Sequence, residues 1–137
     1  MLYDFDAAMA ESAPQVLERP PHASPRRRRV LVVDDEPSVT EWLKMVIEQA
    51  PAGTAAYEVR SASVGARADE VFRSWKPDVV LLDLVLPDVD GIELLRRLKA
   101  IDAGPEVIVI SGVGTIARAL EAGQAGAFFF LEKSHLD

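Results

Sequence analysis

Val30-Leu31-Val32-Val33-Asp34-Asp35-Glu36-Pro37 is the stretch that decides the fold. Four apolar, mostly β-branched residues end on three acids, and a proline follows. The apolar run shows no polar alternation, so it reads as a strand over 30–33 that is buried on both faces. Proline suits the first turn of a helix. Behind it Trp42, Leu43, Val46 and Ile47 recur at helical spacing and predict a helix over 37–50 with those four on its inner face. Pro51 and Gly53 stop it.

The same unit repeats along the chain. A strand over 57–62 leads into a helix over 63–75 with Ala68, Val71, Phe72 and Trp75 as its buried face, and Pro77 breaks it. A strand over 78–84 leads through Leu86-Pro87-Asp88 into a helix over 91–100 with Ile92, Leu95 and Leu98 inward. A strand over 106–111, a helix over 115–125 and a strand over 127–131 complete the pattern. Uniformly apolar strands alternating with helices predict an α/β domain, a parallel sheet with helices on both faces.

Composition is compatible with that core. The chain has 137 residues, 49% of them hydrophobic and 27% charged. It has no cysteine, which excludes disulfides, thiolate metal sites and a cysteine nucleophile. Its strongly apolar runs are far shorter than the ~20 residues of a membrane span, and no signal pattern opens the chain, so a cytoplasmic, membrane-free protein is expected. The net charge of −7 argues against nucleic-acid binding through the bulk surface. Residues 1–25 hold four acids and one base, 26–29 are four arginines, and 30–137 hold 18 acids and 10 bases. Four prolines and no sustained period mark residues 1–28 as a flexible tail, with room for a short helix near 6–13. The arginine run is read as a soluble hinge rather than a phosphate-binding patch.

In a doubly wound sheet, ligands bind beyond the carboxyl ends of the strands. Asp34 and Asp35 follow the first strand, Asp83 the third, Ser111 the fourth, and Lys133 the fifth. Singly, each has a structural explanation as a helix cap, a turn residue or a surface lysine. Together they place three carboxylates, a hydroxyl and an ammonium on one edge. Two carboxylates ~4 Å apart repel by about 4 kcal/mol at an effective dielectric of 20. Such a group favours a hard dication that keeps several waters, which points to Mg²⁺. A carboxylate there can act as nucleophile toward a phosphoryl group. A dinucleotide site is the weaker reading of Gly112-Val113-Gly114-Thr115-Ile116-Ala117, because that motif belongs at the first strand of its unit. An aspartate-nucleophile phosphatase is disfavoured because Val85, not an acid, stands two residues after Asp83.

The segments 30–36, Val80-Leu81-Leu82-Asp83-Leu84-Val85-Leu86-Pro87-Asp88-Val89-Asp90-Gly91, Val109-Ile110-Ser111-Gly112 and Phe130-Leu131-Glu132-Lys133 resemble a response-regulator receiver domain of two-component signalling. Residues 110–133 look most like receivers of nitrogen-regulator-class activators. The resemblance spans about residues 29–135. It implies a flavodoxin-like, doubly wound five-stranded parallel sheet of order 2-1-3-4-5 and a receiver over 29–137. It also implies that Asp83 takes a phosphoryl group from a sensor histidine kinase or phosphotransfer protein. Asp35, Asp83 and the backbone carbonyl of Val85 would bind Mg²⁺ directly, and Asp34 mostly through water. Ser111 and Lys133 would contact the phosphoryl group, Gly112 would leave it room, and Phe130 with Ser111 would form the switch. No catalysis beyond self-phosphorylation and self-dephosphorylation is implied, and Val85 and Val113 beside the site are too apolar to orient water. No direct nucleic-acid binding by this domain is expected. The alternative is a degenerate receiver serving as a phosphorylation-independent interaction module.

Three departures from that family carry expectations of their own. Ser134 follows Lys133 where proline is usual, which predicts a looser lysine loop. Gly123 inside the fourth helix costs it about 1 kcal/mol relative to Ala. The sequence stops after strand 5, so a fifth helix is expected to be absent. Phe128 and Phe130 should then face the fourth helix, while Phe129 and Leu131 face a bare surface. Self-association or a partner is favoured over the tail as the cover for that surface.

Overall fold

The structure is a computed structural model that describes residues 27–50, 56–112 and 114–136. The predicted helix near 6–13, nearly all of the tail assigned to 1–28, Arg26, the stop signals Pro51 and Gly53, and Val113 lie outside the described residues. The elements run β1 (Arg28–Val33), α1 (Pro37–Gln49), β2 (Tyr57–Ala62), α2 (Gly65–Trp75), β3 (Val79–Leu82), α3 (Gly91–Ile101), β4 (Glu106–Ser111), α4 (Ile116–Gln124) and β5 (Phe129–Glu132), followed by a 3₁₀ turn, Lys133–Leu136. The strands form one parallel sheet in the order β2-β1-β3-β4-β5. This is the order the resemblance implied, with the chain reversing direction of growth between β2 and β3.

Strand alternation splits the core in two. Leu31, Val33, Val80, Leu82, Val107 and Val109 face α2, α3 and α4. Val30, Val32, Val59 and Ile110 face the side of α1. The predicted inner faces of α2 and α3 are confirmed: Ala68, Val71, Phe72 and Trp75 are buried, and Ile92, Leu95 and Leu98 are fully so. Leu94 is buried as well, because α3 lies between α2 and α4.

The inner face predicted for α1 is narrower than expected. Only Leu43 is buried, while Trp42 and Val46 are 39% and 42% exposed. Helix α1 makes its main contacts with β1 and β2. A single stripe at i, i+4, i+8 (Val39, Leu43, Ile47) suffices for that contact, and Trp42 and Val46 fall on its flank. Phe128 is a second correction. It is 69% exposed rather than packed under α4, because β5 begins at Phe129 and Ala125 and Ala127 take the packing positions before it. Phe130 does pack on the α2–α4 side, and Leu131 on the other. Over β3, β4 and β5 on the α1 side, no helix lies among the described residues, and Phe129 at that edge is 49% exposed.

Gly91 closes the loop that carries the third strand-end acid. A Cβ there would collide with the Leu84 Cα and come within 2.8 Å of the Asp83 carbonyl oxygen. Backbone cannot yield as a flexible side chain can, so Gly91→Ala is expected to destabilise the fold by about 1–3 kcal/mol. Urea denaturation measures this; an unchanged midpoint would contradict the close approach.

Candidate functional site

Asp34 and Asp83 are neighbours because their strands are neighbours. In the register Val33 lies beside Leu82, and each strand ends one residue before its acid. The ladder continues through both, with the Asp83 N–H donating to the Val33 carbonyl at 2.9 Å and the Asp34 N–H to the Ala62 carbonyl at 3.1 Å. Each acid is only 4% exposed. Asp35 turns outward and is exposed. Beside the acid pair a cleft of about 240 Å³, lined by Asp34, Asp35, Thr40 and Ser61 among others, leaves Asp35 open to solvent.

Lys133 bridges the acids from β5, two strands away from β3. Its Nζ lies 3.0 Å from Asp34 Oδ2, 3.0 Å from Asp83 Oδ2 and 2.6 Å from Glu36 Oε1. An ammonium has three protons, and these three oxygens can take all of them. The Lys133 side chain is held by three ion pairs and is only 16% exposed. The second Asp83 oxygen accepts from the Val85 N–H at 3.1 Å.

Titration shifts follow from burial and this ammonium. Burial pushes the Asp34 carboxyl above its usual value, against the opposing pull of the Glu36 N–H and Lys133. The folded state therefore holds that proton more tightly than the unfolded chain. The associated stability is present at low pH and is lost as pH rises through the folded pKa. Burial alone would lower the Lys133 pKa, but its bonds to Glu36, Asp83 and Asp34 raise it well above the ordinary value. Its contribution is fully present below the unfolded lysine range, so at pH 7 it is complete.

The loop after Asp83 is pinned at two further points. The Asp88 carboxylate accepts from the Gly65 and Ala66 N–H groups at 2.7 and 3.0 Å, at the open end of α2, and these bonds hold its pKa low. Asp90 caps α3 by accepting from the Glu93 N–H, and its other oxygen pairs with Arg118 of α4 at 2.7 Å. The Asp90 cap had a sequence signal, an acid before Gly91-Ile92 with Glu93 three residues on. The Asp88 and Arg118 partners had none, being 23 and 28 residues distant.

Of the residues the sequence singled out, Asp34, Asp83 and Lys133 meet directly. Asp35 joins through the cluster of Asp34, Asp35, Glu36 and Asp83, in which one carboxylate oxygen from each lies within 4.8 Å of the others. Ser111 is fully buried at the end of β4, where its register partner is Glu132, the residue before Lys133. Phe130, two strand positions earlier and paired with Val109, is partly buried. Glu36 is the member that sequence reasoning passed over. Its place directly after the acid pair was the available signal. The donor set is all hard oxygen and carries a surplus of negative charge, which fits Mg²⁺.

Removing the bridging ammonium strands two buried carboxylates. Lys133→Met is expected to cost about 1–3 kcal/mol at pH 7, less than a fully buried pair because the pocket opens to solvent. The loss should shrink toward low pH as Asp34, whose carboxyl pKa is pushed up by burial, takes up its proton. Urea denaturation at pH 7 and at low pH checks both; a loss that is equal at both would contradict it.

The profile of the response regulator receiver domain family matches residues 30–136. The chain is 36% identical over 107 residues to the chemotaxis protein CheY of Thermotoga maritima, covering 77% of this chain and 85% of that protein. It is 31% identical over 105 residues to sporulation initiation phosphotransferase F of Bacillus subtilis, covering 77% and 81%. The structure of a CheY-like receiver domain protein from Methanospirillum hungatei superposes with a TM-score of 0.72 at 26% identity, covering 79% of this chain and 82% of that one. A buried acid pair bridged by a lysine at the strand ends, on this sheet order and with this likeness, means that the chain belongs to the response regulator receiver domain family.

Proposed function

We propose that Asp83 is the phosphoacceptor through which this receiver serves a two-component phosphorelay. The observation that carries the reading is the state of its carboxylate. It is buried, one oxygen is held by the Val85 N–H and the other by Lys133, and Asp34 lies beside it. Such a carboxylate is positioned rather than mobile, which is the main requirement of phosphoryl transfer. One Asp83 oxygen forms a bond to phosphorus as the phosphorus–nitrogen bond of a phosphohistidine breaks, and the bonding pair stays with the departing imidazole. The donor is a sensor histidine kinase or a phosphotransfer protein in the cytoplasm.

Asp34, Asp35, Asp83 and the Val85 carbonyl are the groups that would hold Mg²⁺, which supplies positive charge for the phosphoryl oxygens. Lys133 adds a second cation and Ser111 a hydroxyl donor. At Gly112 a Cβ would stand 3.8 Å from the Lys133 Cδ, an ordinary contact, so the lysine stem runs alongside this position. Phosphorylation draws Ser111 toward the phosphate and lets Phe130 turn inward, two packings close in energy. Apart from its own phosphorylation and dephosphorylation the domain catalyses nothing; it begins at Arg28, the first residue of β1, one residue before the expected start at 29.

Incubation of the full chain with acetyl phosphate and Mg²⁺ should add one phosphoryl group by intact mass, and none in Asp83→Asn or with a chelator. Full labelling of Asp83→Asn would sink the assignment.

The face beside β5, over which no helix lies among the described residues, supports self-association. An edge strand offering an exposed Phe129 next to Leu131 leaves apolar area in water at ~25 cal/mol per Å². Sedimentation sizing of the full chain, a chain lacking 1–25, and Phe129→Ser should show association in the first two and a monomer in the third. Three stable monomers would contradict it.

A further inference from the structure

Glu36 occupies the start of α1 without doing the work of that position. Its backbone stands at the N-cap, with φ −94° and ψ 109°, and its carbonyl accepts from the N–H groups of Val39 and Thr40. Its side chain makes no cap hydrogen bond. The carboxylate reaches instead to Lys133 Nζ, at 2.6 Å the shortest of that ammonium's three ion pairs. Glu36 is also the exposed member: its side chain is 56% accessible, against 4% for Asp34 and for Asp83.

We propose that Glu36 is a positioning residue that competes with the phosphoryl group for Lys133 and so slows phosphorylation of Asp83. This rests on Asp83 being the phosphoacceptor. The ammonium has three protons, and Glu36, Asp34 and Asp83 engage all three. A phosphoryl group arriving on Asp83 brings anionic oxygens that need a donor from the same ammonium. One existing bond must then be given up. Asp34 and Asp83 are buried, and a buried carboxylate stripped of its partner has no water to replace it. Glu36 can rehydrate, so it is the partner that lets go. Until it does, its bond occupies one of the three ammonium protons and its charge repels an anionic donor.

The test is the initial rate of phosphorylation of the full chain by acetyl phosphate at saturating Mg²⁺, read by intact mass. Glu36→Gln keeps the length and removes the charge; Glu36→Asp keeps the charge and shortens the reach. Neither disturbs the backbone bonds that start α1, and thermal midpoints verify folding. Both variants should be phosphorylated about three- to tenfold faster than the native chain, since both weaken the grip on Lys133. A Glu36→Gln rate equal to or below the native one would overturn the proposal. A fast Glu36→Gln beside a Glu36→Asp as slow as the native chain would show charge repulsion without competition, and would overturn it too. The Asp83→Asn chain run in parallel keeps the two readings apart: labelling there defeats the phosphoacceptor assignment, while labelling of native chain alone leaves the Glu36 comparison to decide.

Discussion

An ammonium held by two buried carboxylates is the contact around which this molecule is arranged. Lys133 extends from the end of β5, passes the end of β4 and reaches acids at the ends of β1 and β3. Small residues at the end of β4 make the crossing feasible. Ser111 is fully buried there, and the Cβ position of Gly112 lies in ordinary contact distance of the lysine stem. Without the ammonium, Asp34 and Asp83 would repel each other in a setting where only 4% of each is wet. With it, three strands share one electrostatic centre, and any chemistry on Asp83 is transmitted to β5 through a single side chain.

A second coupling runs through the loop between β3 and α3. Asp88 is tied to the first turn of α2, and Asp90 at once caps α3 and pairs with Arg118 of α4. Gly91 lets the chain fold back against Leu84 at the closest point. A change at Asp83 therefore meets a loop whose far end touches three helices. The ion pair involved, Asp90 with Arg118, is partly exposed and weak. That suits an element whose equilibrium is to be biased by ligand charge rather than locked.

Much of this could be read from the chain, and the reasons differ by element. The strand-end acids were legible because a parallel sheet converts sequence position after a strand into spatial proximity. The inner faces of α2 and α3 were legible because those helices are covered on several sides and need broad apolar stripes. Helix α1 misled for the opposite reason: it packs on two strands, so Trp42 and Val46 look like core residues by spacing and lie on the flank. Phe128 misled because alternation was counted from a strand start two residues too early. Glu36 was overlooked because a glutamate at a helix start has a ready local explanation, and only coordinates reveal that its side chain leaves the helix.

The surplus of negative charge at the site links folding to signalling. Four carboxylates cluster here and three of them pair with one lysine, and burial already lifts the Asp34 pKa against the pull of that lysine. The pocket is thus under-neutralised when nothing is bound. Any cation accepted there relieves repulsion in the folded state alone, since the unfolded chain does not hold these acids together, and the fold gains stability in step with occupancy. A phosphoryl group acts in the reverse sense, adding negative charge that only added cation can balance. Phosphorylation and cation binding must then be mutually favourable, because each supplies the charge the other lacks. Of the three carboxylates paired with Lys133, Glu36 is the exposed one, 56% accessible against 4% for Asp34 and Asp83, and so the one whose place on the lysine water can take over.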